Sequence, residues 1–168
     1  ELYSERFKEY WLSGMRQKIG LLTSEPEDEN LIQSLLNTMH ENEADFTLTF
    51  RRLCDAAFDK KMDRNLRNLF KDVVAYDKWS KSWRTRLSRE SASTEERTKL
   101  MRKVNPAVIP RNHRVEHALN AAVENLDYGP FEKLVEVLSS PYEEPEGHSE
   151  FMQPPKPGEH VLQTFCGT

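Results

Sequence analysis

From Phe7 to Leu138 the apolar residues return every three or four positions, and they never alternate as a strand's do. That spacing is the 3.6-residue period of a helix with one buried face, so it restricts the chain to an all-α architecture. Phe7, Trp11 and Met15, with Leu12 and Ile19 beside them, form one stripe ending near Gly20. After a polar loop around Pro26, Leu31, Leu35 and Met39 mark a second helix. Phe46, Phe50, Leu53 and Cys54 mark a third that starts near Asp45. The longest run, Asp63 to Arg89, carries Leu66, Leu69, Phe70, Val73, Val74, Trp83 and Leu87, with a break expected near Tyr76. Ser93 and Glu96 have the spacing of a capping box for a fifth helix, which Pro106 stops.

Asn112 is placed to cap a sixth helix with Val115, Leu119, Ala122 and Val123 inward. Pro130 suits the first turn of a seventh, whose inward face is Phe131, Leu134, Val135 and Leu138. The last two read as an αα-hairpin. From Pro141 the composition changes: five of the nine prolines lie there among acidic residues. The expectation is an irregular bundle of about seven helices over residues 1–140. An extended, proline-rich tail over 141–168 either lies on a partner surface or stays disordered.

No apolar run approaches the length of roughly 18 residues that a membrane span needs, and no signal-peptide pattern opens the chain. A start at Glu1 inside a helical pattern points to a piece of a longer protein. Two cysteines, Cys54 and Cys166, are too few for a disulfide scaffold or a structural zinc site, which fits a reducing, cytoplasmic setting. The net charge of −4 conceals an asymmetry. Lys78–Arg114 holds eleven Lys/Arg against three Glu, whereas Glu124–Glu159 holds nine acidic residues against two Lys. No nucleic-acid reader motif accompanies the basic stretch, so these stretches are expected to face each other or a neighbouring domain rather than a nucleic acid.

Few residue patterns suggest chemistry. His113-Arg114-Val115-Glu116-His117 matches H-x-x-E-H, which puts two imidazoles on one helix face with a Glu to activate a metal-bound water. A third ligand would have to come from further on, and Glu132 and Glu136 have nothing to distinguish them, so a polar helix start is the expectation and no metal ligand is assigned. Cys54 lies on an apolar stripe and reads as an inert thiol. Cys166 lies two residues from the C-terminus in a polar, proline-rich stretch, where a thiol is open to exchange or oxidation. Trp79 and Trp83 with Arg84 and Arg86 suit a stacking surface, although their helical spacing favours core packing. The six glycines are scattered, so no phosphate-binding loop can be built, and there is no kinase H-R-D or D-F-G element. The chain is therefore expected to hold no catalytic or cofactor-binding residue.

Several ordered segments resemble the selenoprotein O family. Asn105-Pro106 followed by Arg111-Asn112 is similar to that family's N-P-x-x-x-x-R-N stretch, and Tyr128-Gly129-Pro130-Phe131 and Pro141-Tyr142 follow in the same order. Upstream, Ala44-Asp45-Phe46-Thr47 with Phe50-Arg51-x-Leu53 looks like A-D-[FY]-T-x-x-F-R-x-L. Trp83-Arg84-Thr85-Arg86-Leu87 and Met15-x-x-Lys18-Ile19-Gly20-Leu21 fit as well, and the ending Cys166-Gly167-Thr168 is similar to the family's terminal Cys or selenocysteine plus two small residues. The resemblance implies a protein adenylyltransferase of kinase-like fold that moves AMP from ATP to Ser, Thr or Tyr hydroxyls with Mg²⁺ or Mn²⁺. It covers the C-terminal part only, so ATP and metal belong to the parent protein, whose kinase-like domain and protein substrates are the implied partners. It also implies redox control through Cys166, although Gly167-Thr168 departs from the common Ser-Ser ending. The other reading, from a different class, is a helical scaffold that recruits a protein partner.

Overall fold

The computed structural model describes residues 2–161. These form eight α-helices: α1 (Leu2–Lys18), α2 (Asp28–Glu41), α3 (Phe46–Phe58), α4 (Asp63–Arg67), α5 (Val73–Leu87), α6 (Thr94–Val104), α7 (Asn112–Asn125) and α8 (Gly129–Leu138). Two short 3₁₀ turns lie at Lys60–Met62 and Ser149–Met152, and no strand is present among the described residues. The all-α expectation holds. The chain divides at Asn105/Pro106 into two compact units.

The first unit, α1–α6, is built on one apolar core containing Met15, Ile19, Ile32, Leu35, Phe50, Leu53, Leu66, Tyr76, Trp79, Trp83 and Met101. Helix α3 packs on α4 and α6, and α2 packs on α5. The indoles of Trp79 and Trp83 stack with centroids 5.4 Å apart and are almost fully buried. Each indole N–H has a partner inside: Trp79 donates to the Leu31 carbonyl at 2.9 Å and Trp83 to the Ile19 carbonyl at 2.8 Å. Burying an indole with its donor satisfied is the favourable way to place so large a side chain in a core. The stacking-surface reading of this pair therefore gives way to core packing.

Side-chain oxygens set the helix starts. Asp45 accepts from the Leu48 amide at 2.8 Å, and the Ser93–Glu96 capping box closes in both directions at 3.1 Å. The run from Asp63 to Arg89 breaks earlier than expected, between Arg67 and Val73. There Asp72 accepts from the amides of Val74 and Ala75, while the Asp72 amide donates to Asn42 at 2.6 Å. The cap, not the aromatic, decides the break. Tyr76 lies wholly inside on α5 and donates to Asp63 at 2.6 Å.

The end of α1 needs glycine. Gly20 has φ +79°, the Leu21 amide donates back to the Arg16 carbonyl, and the Gly20 amide donates to Gln17, which is the hydrogen-bond pair of a Schellman turn. A Cβ at Gly20 would come within 2.7 Å of the Met101 sulfur. Leu126 takes the same left-handed conformation (φ 54°) after α7, where a branched residue costs about 1–2 kcal/mol.

The second unit is α7 and α8 with their flanking segments. Ala118, Leu134 and Val137 are buried between the helices, with Val115 and Leu138 beside them. Ala107, Val108 and Met152 form a second small cluster. The proline-rich stretch is held in place as far as Met152. The Pro141 carbonyl accepts from the amides of Ala107 (2.8 Å) and Val108 (3.2 Å), and Phe151 and Met152 pack against apolar neighbours. Arg111 donates to the Met152 carbonyl and Arg114 to the Glu150 carbonyl, both at 3.0 Å. Prolines remove donors, so the segment is fixed by acceptors and side chains rather than by a ladder. Asn112 is the first helical residue of α7 rather than its cap; the residue before it, Arg111, makes no side-chain cap bond. Phe7, Phe46, Val74, Leu119, Val123, Phe131 and Val135, read from their spacing as core positions, are exposed.

Candidate functional site

The most heavily charged interior of the chain lies where α1, the 19–27 loop, α2 and α5 meet. The loop leads Asp28 into the first turn of α2, where the residue is fully buried. Helical spacing on α5 sends Arg86 inward one turn beyond Trp83. Arg86 Nε lies 2.8 Å from Asp28 Oδ1, and Arg86 Nη1 lies 2.7 Å from Glu90 and 3.1 Å from Glu25. Its Nη2 donates to the Thr23 carbonyl at 3.0 Å. Asp28 Oδ2 accepts from Arg16 Nε at 3.1 Å and from the Glu25 amide at 2.8 Å. Thr23 Oγ1 donates to Glu90 at 2.7 Å, and Arg89 pairs with Glu25 and Glu27 at the rim.

Every charge in this cluster has a counter-charge, as burial demands. Burial works against the charge on Arg86, but its hydrogen bonds to Asp28 and Glu90 outweigh that and hold its pKa above the ordinary value. For Glu90 burial raises the pKa, and the donors from Thr23 and Arg86 outweigh it, leaving the carboxyl below its usual range. A general acid or base needs a pKa brought toward neutrality and a free lone pair or proton. Arg86 and Glu90 are instead moved away from neutrality, and the other charges of the cluster are occupied by partners. The cluster is a clamp joining four segments.

A second polar knot closes the same unit. Asn105 is wholly buried; its Nδ2 donates to the Lys18 carbonyl at 2.8 Å, and its carbonyl accepts from Arg51 at 3.3 Å. Lys18 Nζ donates to the Val104 carbonyl at 2.9 Å and lies 5.4 Å from the Phe50 ring. Cys54 sits beneath with its sulfur 3.5 Å from Asn105 Nδ2, and burial pushes its thiol up to about 11. A thiol so far above neutrality forms almost no thiolate, so Cys54 is chemically quiet, as its place on the apolar stripe suggested.

The other residues singled out in the sequence are scattered. His113 and His117 lie in the first turns of α7, and among the described residues no group of three His, Cys, Asp or Glu is arranged to hold a metal ion. His113 is held below the ordinary imidazole value by burial and by Arg114. Cys166 lies outside the described residues. The basic stretch is largely spent internally: Arg84 pairs with Asp63 at 2.9 Å, Arg102 with Asp55 at 2.8 Å, and Arg97 donates to the carbonyls of Leu87 and Ala92. A groove of about 810 Å³ between α2 and α5 is lined by Glu27, Ser34, Lys78, Trp79, Lys81 and Arg89, and its carboxylate, Glu27, is paired with Arg89 at 2.6 Å.

Sequence reasoning did not single out Asp28 or Glu90, and it met Asn105 only as part of the N-P-x-x-x-x-R-N stretch. One signal was available: Arg86 and Glu90 stand at i and i+4, the spacing of a helical ion pair. Nothing local marked Asp28, whose partner is 58 residues away.

A "Protein nucleotidyltransferase YdiU" of Rhizobium meliloti is 54% identical over 166 residues, 99% of this chain and 34% of that protein. Proteins of the same name from Rhizobium leguminosarum bv. trifolii and Bradyrhizobium diazoefficiens are 52% and 49% identical, again over 99% of this chain and 33% and 34% of theirs. The chain thus spans about a third of the length of these curated relatives. The family model described as "Protein adenylyltransferase SelO" matches residues 1–139, and the chain belongs to that family.

Proposed function

We propose that this chain is the helical C-terminal third of a protein that transfers AMP from ATP to Ser, Thr or Tyr hydroxyls of other proteins, and that it braces the catalytic part without contributing to the chemistry. The observation that carries this reading is the match to a third of each relative by a chain whose buried Asp28, Arg86 and Glu90 side chains are paired in one cluster. The sequence offers no glycine loop for the phosphates and no acid–base pair for the transfer. ATP and a divalent ion, Mg²⁺ or Mn²⁺, are then bound by the remaining two thirds, a kinase-like domain of the same polypeptide. The setting is the cytoplasm, in keeping with the absence, among the described residues, of any helix long and apolar enough to cross a membrane. Cys166 is a redox-sensitive thiol in this scheme: its thiolate attacks a small-molecule disulfide, releasing one small thiol, and a second cysteine of the polypeptide displaces the other, closing a disulfide that restrains the segment bearing that cysteine.

Calorimetry tests the core of the proposal. Titrating ATP with Mg²⁺ or Mn²⁺ into the chain is expected to release no binding heat, whereas the full-length polypeptide binds. Deleting this region from the full-length polypeptide is expected to abolish AMP transfer to every acceptor protein. Nucleotide turnover by the chain alone would overturn the reading. Loss of transfer to one acceptor only would replace bracing by substrate recruitment.

A further inference from the structure

The α7–α8 hairpin carries an uncovered apolar face. Leu119, Val123 and Leu126 follow one another at i, i+4 and i+7 on α7 and its end, and are 50%, 80% and 76% exposed. Phe131 and Val135, at i and i+4 on α8, are 49% and 52% exposed. Both stripes are displaced in the same rotational sense from the residues packed between the helices, Ala118 on one and Leu134 on the other. In two antiparallel helices joined by a short turn, that equal displacement brings both stripes to the same side of the hairpin.

Three observations separate this face from incidental surface. The residues recur at helical spacing along each stripe rather than singly, which is the arrangement that marks an interaction surface. The second unit has a thin interior: its two core clusters contain three buried residues each, among the described residues. Leu126 holds the left-handed conformation that glycine adopts without cost, and its side chain points into solvent. Retaining a strained leucine in the open is explained when the side chain has a partner.

We infer that this hairpin face docks on the portion of the same polypeptide that lies outside the chain described, the two thirds present in the relatives beyond the matched segment. This rests on the chain being part of such a longer protein, as proposed above. A tethered segment meets the face at an effective concentration of about millimolar, far above that of a second copy or of a separate protein, so the tethered segment wins at equal intrinsic affinity. Its contacting surface is apolar at the centre and basic at the rim, because Asp127 in the turn and Glu132 beside Phe131 border the face in a stretch of strong negative charge.

Cysteine alkylation tests the assignment without reference to activity. In a Cys166→Ser background, Val123→Cys is placed on the face and His117→Cys on the other side of α7, with Cys54 remaining buried. Maleimide labelling of the full-length polypeptide is expected to be slowed by about tenfold or more at position 123 relative to the chain alone, with position 117 unchanged. Equal rates at position 123 in the two contexts would overturn the inference. Protection already present in the chain alone and rising with its concentration would also overturn it, in favour of self-association. Protection in a full-length polypeptide that transfers no AMP would support the docking face while removing the catalytic reading, so the two proposals fail separately.

Discussion

Replacing Asp28 by alanine is the sharpest test of the buried clamp. The substitution removes the acceptor for Arg86 Nε (2.8 Å), Arg16 Nε (3.1 Å) and the Glu25 amide (2.8 Å). Arg86 keeps Glu90 and Glu25, so its charge is not fully orphaned. Hydrogen bonds to charged groups contribute about 1.5–3 kcal/mol each, and a plain sum would overshoot because the donors share one site. Removing one partner of a buried pair costs about 3–5 kcal/mol, and the remaining carboxylates place this case near 4 kcal/mol. Urea unfolding followed by tryptophan fluorescence reads the loss directly, since the buried Trp79 and Trp83 belong to the same unit. At about 2–4 °C per kcal/mol for a chain of this size, the thermal midpoint falls by roughly 10 °C. A double-mutant cycle with Arg86→Met is expected to show that this second substitution costs less once Asp28 is gone. A loss below about 1 kcal/mol, the scale of a solvated pair, or strict additivity in the cycle, would refute the clamp.

Two further outcomes follow from the first unit. Gly20→Ala forces a methyl against the Met101 sulfur in a left-handed turn, and is expected to cost about 2 kcal/mol or more by the same urea assay. Glu90 is held below its unfolded value, so its contribution is complete above the ordinary carboxylate range and is lost as pH falls through and below about 4.5. Glu90→Gln is expected to lower stability at pH 7 and to flatten the acid limb of the stability–pH curve; an unchanged limb would show that Glu90 titrates alike in both states.

Most helices were legible because their signals are local. The capping box at Ser93, the glycine stop after α1 and the proline opening of α8 all act within a turn, and the structure uses each one. The break after Arg67 was misplaced because two features compete there: a continuous apolar period argues for continuation, while Asp72 offers a cap whose strength depends on Asn42, 30 residues away. Exposed positions such as Phe7, Val74 and Val123 were misread for a related reason. Periodicity shows which face of a helix is apolar, but not whether anything lies against it. The burial of Cys54 was legible because its place on the apolar stripe of α3 is a local signal, whereas its contact with Asn105, 51 residues away, was not. The clamp was least visible, since Asp28 and Arg86 look like ordinary surface charges until the fold brings them together.

The clamp also has a consequence for the order of events as the chain is made. Asp28 leaves the ribosome long before Arg86 and Glu90, so at first only Arg16 and the Glu25 amide are present to occupy its carboxylate. The bonds that tie the 19–27 loop and the first turn of α2 to α5, from Arg86 to Asp28 and to the Thr23 carbonyl, span about sixty residues and can close only after α5 has emerged, with water occupying those acceptors until then.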